Sequence, residues 1–473
     1  MARKNSKARG VAVPPSTGLR EFRRRESLSK TSSPWIVVVL WAVAFTLLLV
    51  LVAVAKRWND RAGVDAIVDA PPRAPSGSVA APVAPVAAVT PAPALPVIRL
   101  SHGAESANAD AGAAPSVPRL IPQPGAADNP YIAAATATPE TELDRLVSYQ
   151  LTRLQIDPAP ICSDAIFLRR AYLDVIGALP ASTEVRDFLD DTSPDKRQRL
   201  IDDLLDRPEF ADYWAMRWCD ILRVKAEFPI NLWPNAAQAY HRWIRTALRD
   251  DLPYDRFVRE LLTASGSNFR TPQVNFYRAM QSRDPESIAK TVALTFMGER
   301  ADKWPKEELQ NLSVFFSQIG YKPTGEWKEQ IVLFDPRAVK RPPDGSPLQG
   351  MLPDGTTVEL PLGADPRMIF ADWLIDGDNP RFVRPIVNRV WNWLLGRAIV
   401  EPVDDFRPDN PPRNVDLLDY LGREFVASGY DLKHLCRLIL NSSTYQRACV
   451  PTNTGVSESA AEFASYPLRR LDA

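Results

Sequence analysis

Two adjacent aspartates near the C-terminal end have the residue type needed for acid–base or cation chemistry. Asp404 and Asp405 lie in the Pro-rich stretch VEPVDDFRPDNPP (400–412). Paired carboxylates can bind a cation, or act as acid and base in glycoside hydrolysis when a partner carboxylate lies across a cleft. The structural alternative is that Asp405 caps a turn while Asp404 pairs with Arg389 or Arg397. We favour the structural interpretation and keep both aspartates as weak catalytic candidates.

His434 is the third weak catalytic candidate. It follows Asp431, the expected N-cap of a helix, by three residues, and a histidine in that position is more often a partly buried structural residue than a catalyst. The chain contains only three histidines, and they are far apart in sequence. A His-rich metal centre is therefore not expected, and we predict no metal and no cofactor.

Asn388, Arg389 and Trp391 form the most distinctive phrase of the C-terminal half and are our candidate binding residues. An arginine next to a tryptophan can recognise a glycan or a carboxylate, whereas an arginine that bridges helix ends has a purely structural role. No G-x-S-x-G, phosphate-binding loop or H-E-x-x-H motif occurs in the sequence.

The overall composition excludes some partners. The 57 basic residues balance 57 acidic residues, so no net positive field attracts nucleic acid. The four cysteines, Cys162, Cys219, Cys436 and Cys449, form no C-x-x-C motif. One or two disulfides are compatible with an oxidising envelope, but buried free thiols are the preferred interpretation.

The elements that must position these residues are mostly helices. Segment 140–154 has apolar residues at helical spacing, and 208–222 places Phe210, Trp214, Trp218 and Ile221 on one stripe, which is typical of a core-facing helix. Segments 328–334 and 356–360 read as short strands between Pro-rich turns. We predict a mainly α fold with two helical domains, 139–325 and 365–473, joined by a small β segment, 326–364.

Residues 34–55 form an uncharged apolar run, PWIVVVLWAVAFTLLLVLVAVA. As a helix it would span roughly 33 Å, enough to cross a bilayer core of about 30 Å. Nine basic residues precede the run and only Lys56, Arg57 and Arg61 follow it closely. The positive-inside rule then predicts a single-pass signal anchor with a cytoplasmic tail (1–33) and the C-terminal domains in the periplasm or at the cell surface. Segment 56–138 is rich in Pro and Ala and predicts a disordered stalk.

Several sequence segments together resemble those of a known family. FLRRAYLDVIGALP (167–180), NRVWNWLLGRAIVEPVDDFRPDNPP (388–412) and YDLKHLCRLILNSSTYQ (430–446) are three of them. They are similar to planctomycete-type envelope proteins in which a cytochrome-c-associated domain precedes a planctomycete-specific domain, both of unknown function. The resemblance covers about residues 140–473 and implies the two-domain order but no activity.

The chain departs from the family at three points. Relatives carry a Cys-x-x-Cys-His insertion, the pattern that attaches c-type haem, after a phrase like FMGER, whereas Arg300 here runs directly into Ala301. We therefore expect no haem. Relatives also continue past a segment like the last five residues, so either the chain is a fragment or its second domain is cut short. The third point is Pro385, where relatives usually have a helix former, which suggests a kink or a restarted helix.

These observations favour a non-enzymatic, membrane-anchored binding or scaffold protein for an envelope protein or glycan partner. The alternative is an envelope hydrolase, or a redox-associated protein that has lost its c-type haem site. Asp404, Asp405, His434 and Arg389 in a single cleft would favour the hydrolase, and their separation would favour the binding protein.

Overall fold

The computed structural model describes residues 130–133, 141–339, 344, 346–450 and 461–468. All of them fall within residues 113–473, which cluster into one compact unit. Among these residues no helix is both long enough and apolar enough to span a bilayer. The predicted cytoplasmic tail (1–33) and membrane span (34–55) lie outside the described residues.

The described part of the chain is mainly helical, which confirms the predicted fold class at that level. Its α-helices in chain order are α1 (Glu142–Leu154), α2 (Asp164–Val175), α3 (Ser182–Asp190), α4 (Lys196–Asp206), α5 (Pro208–Ile221), α6 (Pro234–Arg249), α7 (Tyr254–Thr263), α8 (Asn275–Arg278), α9 (Pro285–Val292), α10 (Lys306–Ser313), α11 (Pro366–Leu374), α12 (Pro380–Leu395), α13 (Val415–Ala427), α14 (Leu432–Leu440) and α15 (Ser443–Gln446). A π-helical turn, Ala293–Met297, follows α9 directly.

Polar side chains cap the N-termini of several helices. Thr141 caps α1 in a reciprocal capping box with Asp144, and Asn414 and Asp431 each accept a backbone N–H at the starts of α13 and α14. Each cap satisfies an amide that the helix itself leaves without a partner. The cap at Asp431 is the one expected from the sequence, and it fixes the position of His434.

The strands form two small antiparallel sheets. β1 (Gly266–Ser267), β2 (Ile319–Pro323) and β3 (Gln330–Phe334) make a three-stranded sheet with β3 in the centre, and β4 (Leu348–Met351) pairs with β5 (Thr357–Leu360). Val332 of β3 faces Gly266 on one side and Tyr321 on the other. Both predicted strands are present, but the sheets also recruit residues before 326, so the β structure extends beyond the predicted segment 326–364.

Residues 130–133, which the sequence assigns to the stalk, contact the folded part. Ile132 forms an isolated antiparallel β-bridge with Cys162, and Ala133 donates its N–H to Ile161 O at 2.9 Å. Ile132 also packs against the hydrophobic core. Burial of the apolar isoleucine side chain stabilises the contact of this Ala/Pro-rich segment with the folded part, and the backbone pairs locally there.

The core is continuous across the two predicted helical domains. Trp214 and Trp218 of α5 are fully buried, as the aromatic stripe predicted. Trp393 of α12 meets both rings, with centroid distances of 5.3 Å to Trp214 and 6.0 Å to Trp218. Because the same aromatic cluster draws on 139–325 and 365–473, these regions share one core. The boundary between the two domains remains a prediction.

Candidate functional site

Arg389 joins α12 to the π-helical turn. Its side chain is 2% exposed, and it donates from Nε to Asp404 Oδ1 at 2.7 Å and from Nη2 to Leu294 O at 2.9 Å. A third bond runs from Nη1 to Thr295 O at 2.5 Å. The π-helical turn leaves these backbone carbonyl oxygens free to accept hydrogen bonds, and the guanidinium group of Arg389 donates to both of them. Asp404 is thus engaged in the structural ion pair that the sequence offered as the alternative to catalysis.

Asn388 and Trp391 lie beside Arg389 in the interior. Asn388 donates to Val400 O and Val403 O, and its Oδ1 accepts the backbone N–H groups of Ile399 and Val400, at 2.8–3.0 Å. Trp391 is fully buried and packs edge-on against Phe463 at 5.1 Å. None of the three candidate binding residues presents a surface on which a glycan could stack. All three side chains make structural contacts in the interior, and their role in binding a partner stays a prediction.

Asp405 is surrounded by cations. Its carboxylate is 8% exposed and lies 3.2 Å from Arg407 Nε, 3.7 Å from Arg300 Nε and 3.8 Å from Lys303 Nζ. Its Oδ1 accepts no hydrogen bond within the described structure. The side chain therefore balances three positive charges and does not cap a turn, which corrects the structural alternative considered for it.

Glu299 is a carboxyl group that the sequence analysis missed. Both of its oxygens accept from Arg381 Nη1 at 2.8 Å, and its side chain is 13% exposed. Burial raises the pKa of Glu299 to about 7, and neighbouring Glu308 acts in the same direction, although Arg381 opposes them. The only sequence signal was a charged residue directly after an apolar run, which does not reveal burial.

His434 belongs to a different part of the molecule. It lines a cleft of about 960 Å³ together with Arg197, Arg437 and Asn441. Asp404, Asp405 and Arg389 do not line this cleft. The structure thus brings Asp404 to Arg389 and leaves His434 on a separate surface, so the single cleft that would have favoured the hydrolase is not formed by these groups.

Two parts of the chain match models of known protein families. Residues 142–319 match PSCyt2, a protein of unknown function (DUF1549), and residues 366–473 match PSD1, a protein of unknown function (DUF1553). The chain belongs to the family that carries these two domains in this order. No curated protein and no solved structure matches the chain. Membership confirms the predicted two-domain order and assigns no activity.

The cleft at His434 is built by both family regions. The PSCyt2 region supplies Asp164, Lys196 and Arg197, and the PSD1 region supplies Arg437 and Gln446. Arg197 donates to Asp164 at 2.7 Å and to Gln446 Oε1 at 2.8 Å, thereby crossing from one region to the other. Burial opposes ionisation of Asp164, but hydrogen bonds from Lys196 and Arg197 outweigh it and lower its pKa. The carboxylate is therefore ionised and already neutralised by its own protein.

The cysteines of the PSCyt2 and PSD1 regions are free thiols, in agreement with the preferred interpretation. Cys162 and Cys436 are buried, and Cys219 and Cys449 are partly buried. Burial raises the pKa of Cys219 to about 12, which keeps this thiol protonated and unreactive. Within the described ranges, no group of three or more His, Cys, Asp or Glu residues is arranged to hold a metal ion.

Proposed function

We propose that this PSCyt2–PSD1 protein is a non-enzymatic, membrane-anchored binding protein that presents its helical part to an envelope protein or glycan partner. The proposal rests on the separation of the candidate groups. Arg389 already neutralises Asp404, three cations surround Asp405, and His434 faces a different cleft. An acid–base pair across one cleft would be required for hydrolysis by these residues.

The cleft at His434 is the surface that we assign to the partner. Its volume of about 960 Å³ lies at the upper end of the range for ligand sites. Its lining charges are fixed by ion pairs such as Arg197–Asp164 and Lys196–Asp164, both at 2.7 Å. Side chains held in this way keep a cleft formed before a partner arrives, which lowers the ordering cost of binding.

The proposed location follows from composition. The uncharged run 34–55 supports a single membrane span, and the excess of basic residues before it supports a cytoplasmic N-terminus. The PSCyt2 and PSD1 regions would then lie in the periplasm or at the cell surface, held off the membrane by the Pro-rich stalk.

Crosslinked recovery of partners from membranes tests the proposal. Gln198 is exposed and lines the cleft, whereas Gln310 is exposed on α10 and does not. We expect Gln198→Trp to fill the cleft and reduce partner recovery several-fold, with Gln310→Trp as the matched control that leaves recovery unchanged. Recovery of the same proteins by the Gln198→Trp chain, or by a chain lacking residues 140–473, would contradict the proposal.

One observation favours the hydrolase alternative. Burial raises the pKa of Glu299 to about 7, a value suited to general acid–base catalysis near neutrality. Arg381 already occupies both oxygens of this carboxylate at 2.8 Å, so a substrate would have to displace it. The redox alternative is tested by a haem stain or a Soret band on the purified protein, and covalent haem would overturn the binding proposal.

A further inference from the structure

Two loops bring exposed aromatic rings together beside the three-stranded sheet. Trp233 precedes α6 and is 40% exposed, and Trp327, in the turn between β2 and β3, is 54% exposed. Their rings meet edge to face with centroids 5.3 Å apart at an angle of 74°. Phe228, 85% exposed, lies in the same loop as Trp233. We call Trp233 and Trp327 the aromatic platform.

Lys328 lies in the corner formed by the two tryptophans. Its Nζ is 4.6 Å from the Trp233 ring centroid and 4.7 Å from that of Trp327, within the range of a cation–π contact. Within the described structure Lys328 makes no ion pair with a carboxylate. Its positive charge therefore remains available to an anionic group that reaches the platform.

The backbone that holds the platform is in an unfavourable conformation. Trp233 has φ 68° and ψ 154°, a region that is essentially restricted to glycine, and Lys328 has φ 60°. Backbone strain of this kind persists where surrounding contacts impose it, and it concentrates at ligand-binding positions.

A cationic groove begins at the platform. Ala226 accepts the N–H of Trp233 and also lines a groove of about 560 Å³ along α6. His241, Arg242 and Arg245 line the same groove. Arg245 is paired with Asp212, whereas Arg242 is exposed and makes no ion pair with any described residue. The groove and the platform thus offer two uncompensated cations, on Arg242 and Lys328, beside two tryptophan faces.

The size of the aromatic surface favours a glycan over a folded protein. The two tryptophan side chains, of roughly 200 Å² each and exposed to these degrees, offer on the order of 200 Å² of surface. A stable protein interface needs about 800 Å² from each partner. A sugar ring needs much less, because the electron-rich face of one indole covers one ring of C–H groups.

We propose that the aromatic platform and the adjoining groove bind an acidic polysaccharide, with sugar rings on Trp233 and Trp327 and carboxylate or sulfate groups on Lys328 and Arg242. None of these residues lines the cleft at His434, so this site is independent of the function proposed above. Failure of one proposal leaves the other standing.

Direct binding to defined polysaccharides tests the site. The full chain, in mild detergent, is titrated with polygalacturonate, with heparin and with neutral dextran. We expect at least tenfold tighter binding to one or both acidic polymers than to dextran, and weaker binding as salt screens the charges. Trp327→Ala should weaken that binding at least tenfold. The double variant Lys328→Gln/Arg242→Gln should weaken it similarly and flatten the salt dependence.

Matched control variants distinguish binding at this site from nonspecific electrostatic or hydrophobic binding. Tyr149→Ala removes an aromatic ring of similar exposure, and Lys306→Gln removes an exposed lysine elsewhere; both should bind within twofold of the unaltered chain. Circular dichroism checks that each variant remains helical. The proposal is overturned if no acidic polymer binds, if dextran binds equally, if Trp327→Ala has no effect, or if only a trimethylammonium probe such as choline binds.

Discussion

Glu299 is held by two opposing effects, burial of its carboxyl group and the ion pair with Arg381. Burial is the larger and raises the pKa to about 7 from an ordinary 4.5. Between pH 4.5 and 7, Glu299 is therefore protonated in the native state and deprotonated in the unfolded chain. The free energy of unfolding then falls as pH rises from about 4.5 to about 7. The difference corresponds to no more than about 3 kcal/mol.

Replacing this carboxyl group should remove that pH dependence. We expect the unfolding free energy of Glu299→Gln, measured by denaturant titration, to increase relative to the unaltered chain as pH rises through 4.5 to 7, because the amide cannot ionise. Glu307→Gln, at an exposed position on α10, serves as the control and should show a constant difference. A constant difference for Glu299→Gln as well would show that Glu299 titrates at its ordinary value.

Arg389 and Arg384 lie on the same helix and allow a buried arginine to be compared with a partly exposed one. Arg389→Met leaves Asp404 and two backbone carbonyls without their donor, and we expect a loss of about 3–5 kcal/mol in unfolding free energy. Arg384 pairs with Asp419 at 2.7 Å, with both side chains about one-third exposed, and Arg384→Met should cost less than about 1 kcal/mol. Equal costs would contradict the structural role assigned to Arg389.

The sequence identified some of these residues and missed others for a physical reason. The Asp404–Arg389 pair was anticipated because the two residues are only fifteen positions apart across a predictable helix end. Glu299 was missed because its burial depends on Arg381, eighty-two positions away. Likewise, the partial exposure of Trp327 depends on a turn conformation that the residue type does not specify.

At the level of elements, the contact between the π-helical turn and the loop after α12 depends on Gly298. Its φ is +61°, and an added Cβ would lie 2.9 Å from the Phe406 ring and 3.2 Å from Pro385 Cβ. Phe406 also donates its N–H to Gly298 O at 3.0 Å. The two segments can approach this closely only where no side chain intervenes.

We therefore expect Gly298→Ala to lower the unfolding free energy by about 2–3 kcal/mol through overpacking added to backbone strain. Gly429 is the matched control, since its φ is +75° and nothing lies within 4 Å of its added Cβ. Gly429→Ala should cost about 1 kcal/mol, from strain alone. Thermal or chemical unfolding measures both, and a smaller loss at Gly298 than at Gly429 would contradict the close approach.

Helices were easier to anticipate than strands. Apolar spacing and the Asp431 cap located α14, and the aromatic stripe located α5. Pro385 suggested a kink or a restarted helix, and α12 does not restart there but continues from Pro380 through Leu395, because a buried packing face outweighs one lost hydrogen bond. β2 was missed because a strand of five residues is stabilised mainly by its partner β3, and pairing is not a local property.

On the scale of the whole described unit, the PSCyt2 and PSD1 regions depend on each other. Asp144 of α1 accepts bonds from Ser443 N at 2.9 Å and from Thr444 N and Oγ1 at 2.8 Å. Trp393 of α12 contacts both Trp214 and Trp218 of α5. Neither region can bury its apolar surface fully without the other.

We therefore expect one cooperative unfolding transition, with tryptophan fluorescence and far-UV circular dichroism changing together. Residues 139–325 or 365–473 expressed alone should be poorly folded, whereas a chain beginning at residue 130 and carrying both should fold. Two separate transitions would instead indicate two independent domains, as the sequence boundaries alone suggest.

We propose that the binding unit lies outside the cytoplasm and is anchored by residues 34–55. Protease protection in sealed cells, after the outer layers are opened and the inner membrane is left intact, tests it most directly. The account predicts that an antibody against the PSD1 region detects cleavage before the inner membrane is permeabilised, while a tag at the N-terminus stays protected. Protection of the PSD1 region until the inner membrane is opened would contradict the account.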